Sequence, residues 1–144
     1  MSNEEHFRKL ERMYLGAPVN AYFAPTIHIS RGETQVTIHV RPEFFHAAGA
    51  VHGVVYFKLL DDSSFFAANS LVEDVFVLTV SYNVYFTRPV FKGALSAKGK
   101  VVQASARLLI AESVILDSDG NEAGRGSGTF MRSNISLTEE IGYK

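Results

Sequence analysis

Two adjacent aspartates, Asp61 and Asp62, lie in the middle of a mainly apolar stretch that runs from His46 to Leu71. An isolated carboxylate is very costly to remove from water, so an acid in such surroundings is either paired with another group or has a chemical task. The tasks open to an aspartate are to take a proton from water or to attack a substrate directly. These two residues are therefore the first candidates for chemistry in the chain.

The position of Lys58 separates the two aspartates. Lys58 lies four residues before Asp62, a spacing that favours an exposed ion pair on a helix over a chemical role for Asp62. For Asp61, two interpretations remain open at this point. It is either a catalytic carboxylate or a buried acid that is satisfied by the backbone or by a hydroxyl group.

Both aspartates lie on a predicted helix that begins near residues 51–53 and fades after Asn69. Its apolar side chains continue nearly all the way round, which is typical of a helix enclosed by the rest of its domain. The first turn of a helix offers unpaired N–H groups, and glycine lets a ligand approach the backbone closely. The Gly53 N–H is therefore a candidate donor to an oxyanion. His52 either shapes this turn, which we favour, or shuttles a proton.

The separation of Gly53 and Asp61 argues against a site built within one helix. Asp61 lies eight residues after Gly53, which places the two about 80° apart around the helix axis and about 12 Å apart along it. Two such helices packed side by side and antiparallel would bring Gly53 of one chain close to Asp61 of the other. The spacing therefore favours a site shared between two subunits.

The rest of the chain is predicted to form a second helix and six strands. Ser2 and Glu5 have capping-box spacing, which predicts an N-terminal helix over residues 2–15 that ends at Gly16. In residues 79–86, strict alternation places Val80 and Tyr82 on one face of a strand and Thr79 on the other. The predicted strands cover residues 24–30, 34–40, 79–88 (stopping at Pro89), 94–103, 106–116 and 122–132, and residues 133–144 are predicted to be a loose tail.

This order of elements predicts a single domain over residues 1–144 of the α+β class, with an antiparallel sheet wrapped around a long central helix. This domain includes an N-terminal helix over residues 1–16, which precedes the sheet. Gly124, Gly126 and Gly128 share one face of the last strand. Because glycine lets another backbone come close, we expect this face to receive the central helix.

Composition narrows the function classes. The 144 residues include no cysteine, which excludes disulfides, thiolate metal sites and a cysteine nucleophile. A formal net charge of −1 lacks the basic excess of a nucleic-acid-binding protein. No apolar run is long enough to span a membrane, and no signal-peptide pattern is present, so we expect a cytoplasmic protein. His46, His52 and Asp61 lack the close spacing of metal ligands, so no metal is expected.

Five spaced residues carry a family resemblance: Gly49, His52, Gly53, then Asp61 nine residues after His52, and Thr79 eighteen residues after Asp61. With Leu78-Thr79 and Arg88-Pro89, they make the chain over roughly residues 35–132 similar to the PaaI-like (phenylacetate-pathway) acyl-CoA thioesterases of the hot-dog fold. The resemblance implies hydrolysis of acyl-CoA without a cofactor, in homodimers that pair into homotetramers.

Within this resemblance, each site residue acquires an expected role. Asp61 activates water or attacks the thioester itself, Thr79 orients the water, and the Gly53 N–H receives the oxyanion. Two positions depart from the family pattern: His46 replaces an asparagine, and Val54 replaces a glycine. A histidine can donate the same hydrogen bond, although it also titrates near neutral pH.

The expected substrate contacts are Val51, Val54, Tyr82 and Arg88. Val54 adds bulk that narrows the substrate channel, and Arg88 either meets the phosphates of coenzyme A or serves solubility. The acyl group is left open between aryl and lipid-like chains. Two other functions also remain open. One is a non-catalytic module that binds acyl-CoA or fatty acyl groups, and the other is an enoyl-CoA hydratase or dehydratase.

Overall fold

The computed structural model describes residues 2–144 as two longer helices, one short helix and six strands, with two turns of 3-10 helix. The helices are α1 (Asn3–Gly16), α2 (Asn20–Phe23) and α3 (Gly53–Asn69), and the 3-10 turns are Pro42–Phe44 and Glu139–Ile141. The strands are β1 (Thr26–Ser30), β2 (Glu33–His39), β3 (Val75–Phe86), β4 (Ala94–Ala104), β5 (Leu108–Leu116) and β6 (Glu122–Ser136).

All six strands form one antiparallel sheet in the order β1-β2-β4-β5-β6-β3. Helix α3 contacts every one of these strands and fills the inside of the curved sheet. Its buried side chains include Val55, Leu59 and Leu60, which join the main core. The predicted α+β arrangement of a sheet around a long central helix is confirmed.

The first helix forms as its sequence predicts. The Ser2 hydroxyl accepts the backbone N–H of Glu5 at 3.1 Å, which caps the helix. Phe7, Leu10 and Tyr14 recur at helical spacing and are buried. This apolar face packs α1 against β1 and the core beneath it.

The central helix approaches the sheet most closely at Gly99 on β4, rather than at the glycines of β6. A Cβ atom at Gly99 would collide with the backbone carbonyl of Ser63 in α3. The expectation that the β6 glycines receive the helix backbone is therefore wrong. Gly124 meets α3 only through the side chain of Tyr56, and the ring of Tyr82 occupies the space that side chains at Gly126 and Gly128 would need.

Strand β3 contains an irregularity that simple alternation does not predict. Its pairing with β6 shifts register between Thr79 and Ser81, and Val80 is 57% exposed. Because a β-bulge adds one residue, the alternation resumes in the opposite phase. The hydroxyls of Thr79 and Tyr82 consequently both reach α3. The prediction that these two residues lie on opposite faces is wrong.

The C-terminal residues are ordered against the rest of the domain. Strand β6 continues to Ser136, and the buried Tyr143 hydroxyl lies 2.7 Å from Nδ1 of His6. His6 is itself buried, and its Nε2 lies 3.0 Å from the carbonyl of Asn69 at the end of α3. The expectation of a loose tail from residue 133 is wrong, because this contact joins both chain ends to α3.

Candidate active site

Asp61 and Thr79 form the first part of the candidate site. The Thr79 hydroxyl donates to Asp61 Oδ1 at 2.9 Å, which joins the middle of α3 to β3 beside its bulge. Burial raises the pKa of Asp61 to about 6, although the hydrogen bond from Thr79 acts in the opposite direction. A carboxyl group with this pKa is largely ionised at neutral pH and is still basic enough to accept a proton.

Asp62 has a more enclosed setting than its spacing suggests. Lys58 Nζ lies 2.7 Å from Asp62 Oδ2, which confirms the ion pair. The two side chains are only 11% and 17% exposed, so the prediction of an exposed pair is wrong. The Tyr14 hydroxyl of α1 donates to the same oxygen at 2.6 Å, because α1 packs over this part of α3.

The entrance of α3 presents a backbone donor. His52 is the N-cap residue: its Nδ1 accepts the N–H of Val54 at 2.9 Å, and its carbonyl accepts the N–H of Val55 at 3.0 Å. The interpretation of His52 as a residue that shapes the turn is therefore confirmed. Within residues 2–144, the Gly53 N–H contacts no hydrogen-bond acceptor. It is one of the unpaired donors that a helix start leaves available.

A pocket of about 490 Å³ opens at this helix entrance. It brings together four of the residues that the sequence singled out, His46, Val51, Gly53 and Arg88, with further lining from Ala50, Tyr56, Phe86, Thr87 and Pro89. The Tyr56 hydroxyl donates to the carbonyl of Arg88 at 2.7 Å and so fixes one wall of the pocket.

His46 has a defined tautomer in this pocket. Its Nδ1 accepts the backbone N–H of Ala48 at 3.0 Å. Because a neutral imidazole carries one proton, that proton must then be on Nε2, which makes His46 a hydrogen-bond donor. The Nε2–H of neutral His46 is therefore free of the Ala48 contact.

The structure does not bring the remaining site residues into this pocket. Asp61 lies farther along α3, about 12 Å from Gly53 along the helix axis, and Thr79 and Tyr82 lie on β3. The Tyr82 hydroxyl is already bonded to Ser64 Oγ at 2.7 Å and to the Leu60 carbonyl at 3.0 Å. Within one chain, the pocket at the helix entrance and the Asp61–Thr79 pair are therefore separate.

Two residues of the site were not identified from the sequence. Tyr56 lines the pocket and Tyr14 contacts Asp62, but both follow the apolar pattern of core residues. No local signal distinguishes them from ordinary core tyrosines. A larger groove of about 700 Å³ crosses the sheet and contains none of the predicted site residues.

Residues 2–144 contain neither a cluster of metal-ligating side chains nor a membrane-spanning helix. No group of three or more His, Asp or Glu side chains in this part of the chain is placed to hold a metal ion. His46 and His52 have ring centroids 6.5 Å apart, with their Nδ1 atoms already engaged by backbone N–H groups. None of the helices described has the length and apolar character needed to cross a membrane.

The class of this protein follows from its match to a family model. Residues 48–123 match the model of the thioesterase superfamily, so the chain belongs to this superfamily. A protein of Saccharolobus solfataricus named as a candidate esterase, SSO2140, is 24% identical over 127 residues, which cover 88% of this chain and 87% of that protein.

Solved structures support the same assignment of fold. The E. coli PaaI protein from the phenylacetic acid degradation operon has a TM-score of 0.86 at 20% identity, covering 94% of this chain and 99% of that one. Thioesterase HI1161 from Haemophilus influenzae has a TM-score of 0.76 at 17% identity, covering 86% of this chain and 88% of that one. The predicted hot-dog fold and resemblance to PaaI-like thioesterases are confirmed.

Proposed function

We propose that the protein hydrolyses acyl-CoA thioesters at a site shared between two subunits. In this site, Asp61 and Thr79 of one subunit face the α3 entrance of the other, where Gly53 and His46 lie. The observation that carries the proposal is the Asp61–Thr79 hydrogen bond of 2.9 Å, made by an incompletely buried acid whose pKa is raised to about 6. This hydrogen bond places the Asp61 carboxylate, the proposed base, beside the Thr79 hydroxyl, which can orient a water molecule.

The chemistry uses only groups that the chain supplies. Asp61 accepts a proton from water as the water oxygen bonds to the thioester carbon, and the carbonyl oxygen becomes an oxyanion. The Gly53 N–H and the His46 Nε2–H are donors to that oxyanion. When the C–S bond breaks, the thiolate of coenzyme A takes the proton back from Asp61. One water is consumed, and a free acid and a free thiol are formed.

A direct attack by Asp61 on the carbonyl carbon has the same overall balance. It forms a mixed anhydride and releases the thiol before water enters. A single turnover in water labelled with ¹⁸O can reveal direct attack. Water addition at the Asp61 carbonyl of the anhydride leaves the label in Asp61, whereas activated water, or water addition at the substrate carbonyl of the anhydride, places it in the product acid.

The exposed edge of the sheet supports a second subunit. Within residues 2–144, β3 pairs only with β6, which leaves the other edge of a 12-residue strand open. Leu78 and Val80 on β3, with Val54 and Phe57 on α3, are exposed apolar side chains beside it. Such an edge is a template for another chain. Antiparallel pairing of two β3 edges about a two-fold axis would place two α3 helices side by side.

The same arrangement gives roles to the other predicted contacts. Val51 and Arg88 line the pocket, and Val54 stands exposed on α3 one residue after Gly53. We assign Val51, Val54 and the Tyr82 ring to the acyl and pantetheine part of the substrate. We assign Arg88 to the phosphates of coenzyme A, because a guanidinium can bind them with paired hydrogen bonds. Two dimers pairing into a tetramer remain a prediction.

The decisive assay is thiol release from a panel of aryl- and alkyl-CoA thioesters. We expect turnover that follows the ionisation of Asp61 and therefore rises with pH through about 6. Asp61→Asn should lower kcat by about 100-fold or more while leaving substrate binding intact. Thr79→Val, which keeps the shape of Thr79 and removes its hydroxyl, should lower kcat with a smaller effect on KM.

Other outcomes of this assay would overturn the proposal. Binding of acyl-CoA with no turnover by any member of the panel would make the protein a binding module. Loss of the conjugated absorbance of an enoyl-CoA, with no thiol released, would make it a hydratase. Full activity of Asp61→Asn would remove Asp61 from the mechanism.

A further inference from the structure

The Lys58–Asp62 ion pair lies within one turn of Asp61 and has no part in the reaction described above. Residues three and four apart on a helix are neighbours, so Lys58 is adjacent to both Asp61 and Asp62. Asp62 Oδ2 accepts from Lys58 Nζ at 2.7 Å and from the Tyr14 hydroxyl at 2.6 Å. Replacing a buried ion pair by apolar residues is often neutral or stabilising, so stability alone is a weak reason for its presence.

Residues outside α3 hold this pair in place. Lys58 Nζ lies 5.3 Å from the ring centroid of Tyr14 in α1 and 5.1 Å from that of Phe23 in α2. Tyr14 in turn packs edge-on against Phe66, with ring centroids 5.1 Å apart. The N-terminal helices therefore cover the pair and fix both charges relative to α3.

The charged and titratable groups around Asp61 are few. Lys58 and Asp62 act on it from its own helix, with opposite signs. From β3, the Thr79 hydroxyl donates a hydrogen bond to Asp61, and the charge of Asp61 contributes to the raised pKa of Tyr82. From α1, Tyr14 reaches Asp62 rather than Asp61. The two opposite charges of the ion pair are therefore the main fixed charges beside the proposed base.

We propose that Lys58 and Asp62 are positioning residues for the reaction, a fixed pair of opposite charges, held by Tyr14 and Phe23, that sets how readily Asp61 accepts a proton. This inference rests on the proposed function, because it requires Asp61 to be the base. Neither residue touches the substrate, so neither is a catalytic residue. Lys58 stabilises ionised Asp61, and Asp62 opposes it.

The test is the acid limb of the pH profile of kcat/KM in single-charge variants. Asp62→Asn leaves Lys58 alone beside Asp61, so the limb should move to lower pH. Lys58→Met leaves Asp62 alone, so the limb should move to higher pH. Because one pKa unit is a tenfold change, a movement of half a unit alters the ratio of the acid-side rate to the plateau rate about threefold.

Three further variants distinguish charge from structure. Lys58→Arg keeps the positive charge and should restore the wild-type limb, and the double variant Lys58→Met with Asp62→Asn should return the limb towards it. Tyr14→Phe loosens the contact between α1 and α3 but keeps both charges, so it should lower the unfolding midpoint without moving the limb. If Lys58→Met fails to fold, the Asp62→Asn limb decides the question alone.

Failure of this inference differs from failure of the proposed function. Unmoved limbs in Asp62→Asn and Lys58→Met, with Asp61→Asn inactive, would overturn the role of the pair and leave Asp61 as the base. Movement of both limbs in the same direction, or an equal movement in Tyr14→Phe, would show that the pair acts only through the fold. An active Asp61→Asn variant would remove the base itself.

Discussion

Burial raises the pKa of Asp61, which suits a proton acceptor but lowers the folding stability of the protein once the carboxyl group is ionised. The raised pKa of about 6 comes first from desolvation, which penalises the ionised carboxylate. The proposed reaction needs that ionised form, so the folded protein holds at neutral pH the state that its surroundings disfavour. Sites of this kind exchange folding stability for function.

Asp61→Asn should raise the free energy of unfolding by an amount that grows with pH. Between the ordinary pKa of 3.8 and the folded value of about 6, the unfolded chain has released a proton that the folded chain still holds. Wild-type stability therefore falls as pH rises through this window and levels off above about pH 7. About two pKa units correspond to a gain of at most about 3 kcal/mol for the variant at pH 8.

Urea unfolding at pH 4 and pH 8, at one protein concentration, measures this gain. Asp119→Asn, at an exposed position in the turn before β6, is the matched control and should change stability equally at both values. An Asp61→Asn variant that is less stable than wild type at pH 8 would show that the ionised carboxylate is favoured by its surroundings.

At the scale of elements, the entrance of α3 can be tested at its first residue. Gly53 begins the helix, and proline is well accepted at this position because its missing N–H is unpaired there anyway. Gly53→Pro should therefore keep the helix and remove the proposed oxyanion donor. We expect kcat to fall about 100-fold to 1000-fold, the usual loss for one such donor.

Gly53→Ala is the control for this change. Both variants add a Cβ that would lie 2.9 Å from Cε1 of Phe86, whose exposed ring end can move aside. Only the proline removes the N–H. Equal losses of kcat in Gly53→Ala and Gly53→Pro would show that packing against Phe86, and not the donor, explains the effect.

The contact between β4 and α3 makes a second prediction at this scale. Gly99→Ala forces a Cβ into the backbone of Ser63, which cannot rotate away, so it should destabilise the fold by about 1–3 kcal/mol. Gly16→Ala at the end of α1 meets nothing within 4 Å and is the matched control. Chemical denaturation compares the two variants, and equal stability would contradict the close approach of α3 to β4.

Elements with their own local signals could be predicted from the sequence. The Ser2–Glu5 capping spacing and the apolar run of α3 gave bounds close to those observed. The bulge at Val80 could not be predicted, because alternation carries no record of an inserted residue until the pairing with β6 is known. For the same reason, Thr79 and Tyr82 were predicted on opposite faces of the strand, whereas both hydroxyls reach α3.

Contacts between distant parts of the chain explain the other differences. The Lys58–Asp62 pair was visible as a spacing, but its burial depends on Tyr14, which lies 48 residues away. The order of the C-terminal residues depends on Tyr143 meeting His6, 137 residues away. Neither contact leaves a pattern in the local sequence, whereas the separation of Gly53 and Asp61 along α3 follows directly from their spacing.

At the scale of the whole molecule, the proposed site needs two chains. The entrance of α3 and the Asp61–Thr79 pair at the middle of this helix are about 12 Å apart along its axis. An open β3 edge with exposed Leu78 and Val80 lies beside them. A second chain paired at this edge would therefore also complete the proposed site.

Subunit complementation tests this claim most directly. Asp61→Asn keeps an intact helix entrance, and Gly53→Pro keeps an intact base, so each alone should be nearly inactive. After the two are unfolded together and refolded as an equal mixture, half of the dimers are mixed. One of the two sites in each mixed dimer is intact, with Gly53 from one chain and Asp61 from the other, and the second site carries both changes. About a quarter of wild-type activity should therefore return.

A second mixture, Asp61→Asn with Thr79→Val, is the control. Both changes lie in the same half-site, so every site in its mixed dimers is defective and thiol release should stay at the level of the separate variants. The account predicts recovery in the first mixture only. Mixed dimers of Asp61→Asn and Gly53→Pro that form, as native mass spectrometry would show, and yet release no more thiol than the separate variants would contradict a site shared between subunits.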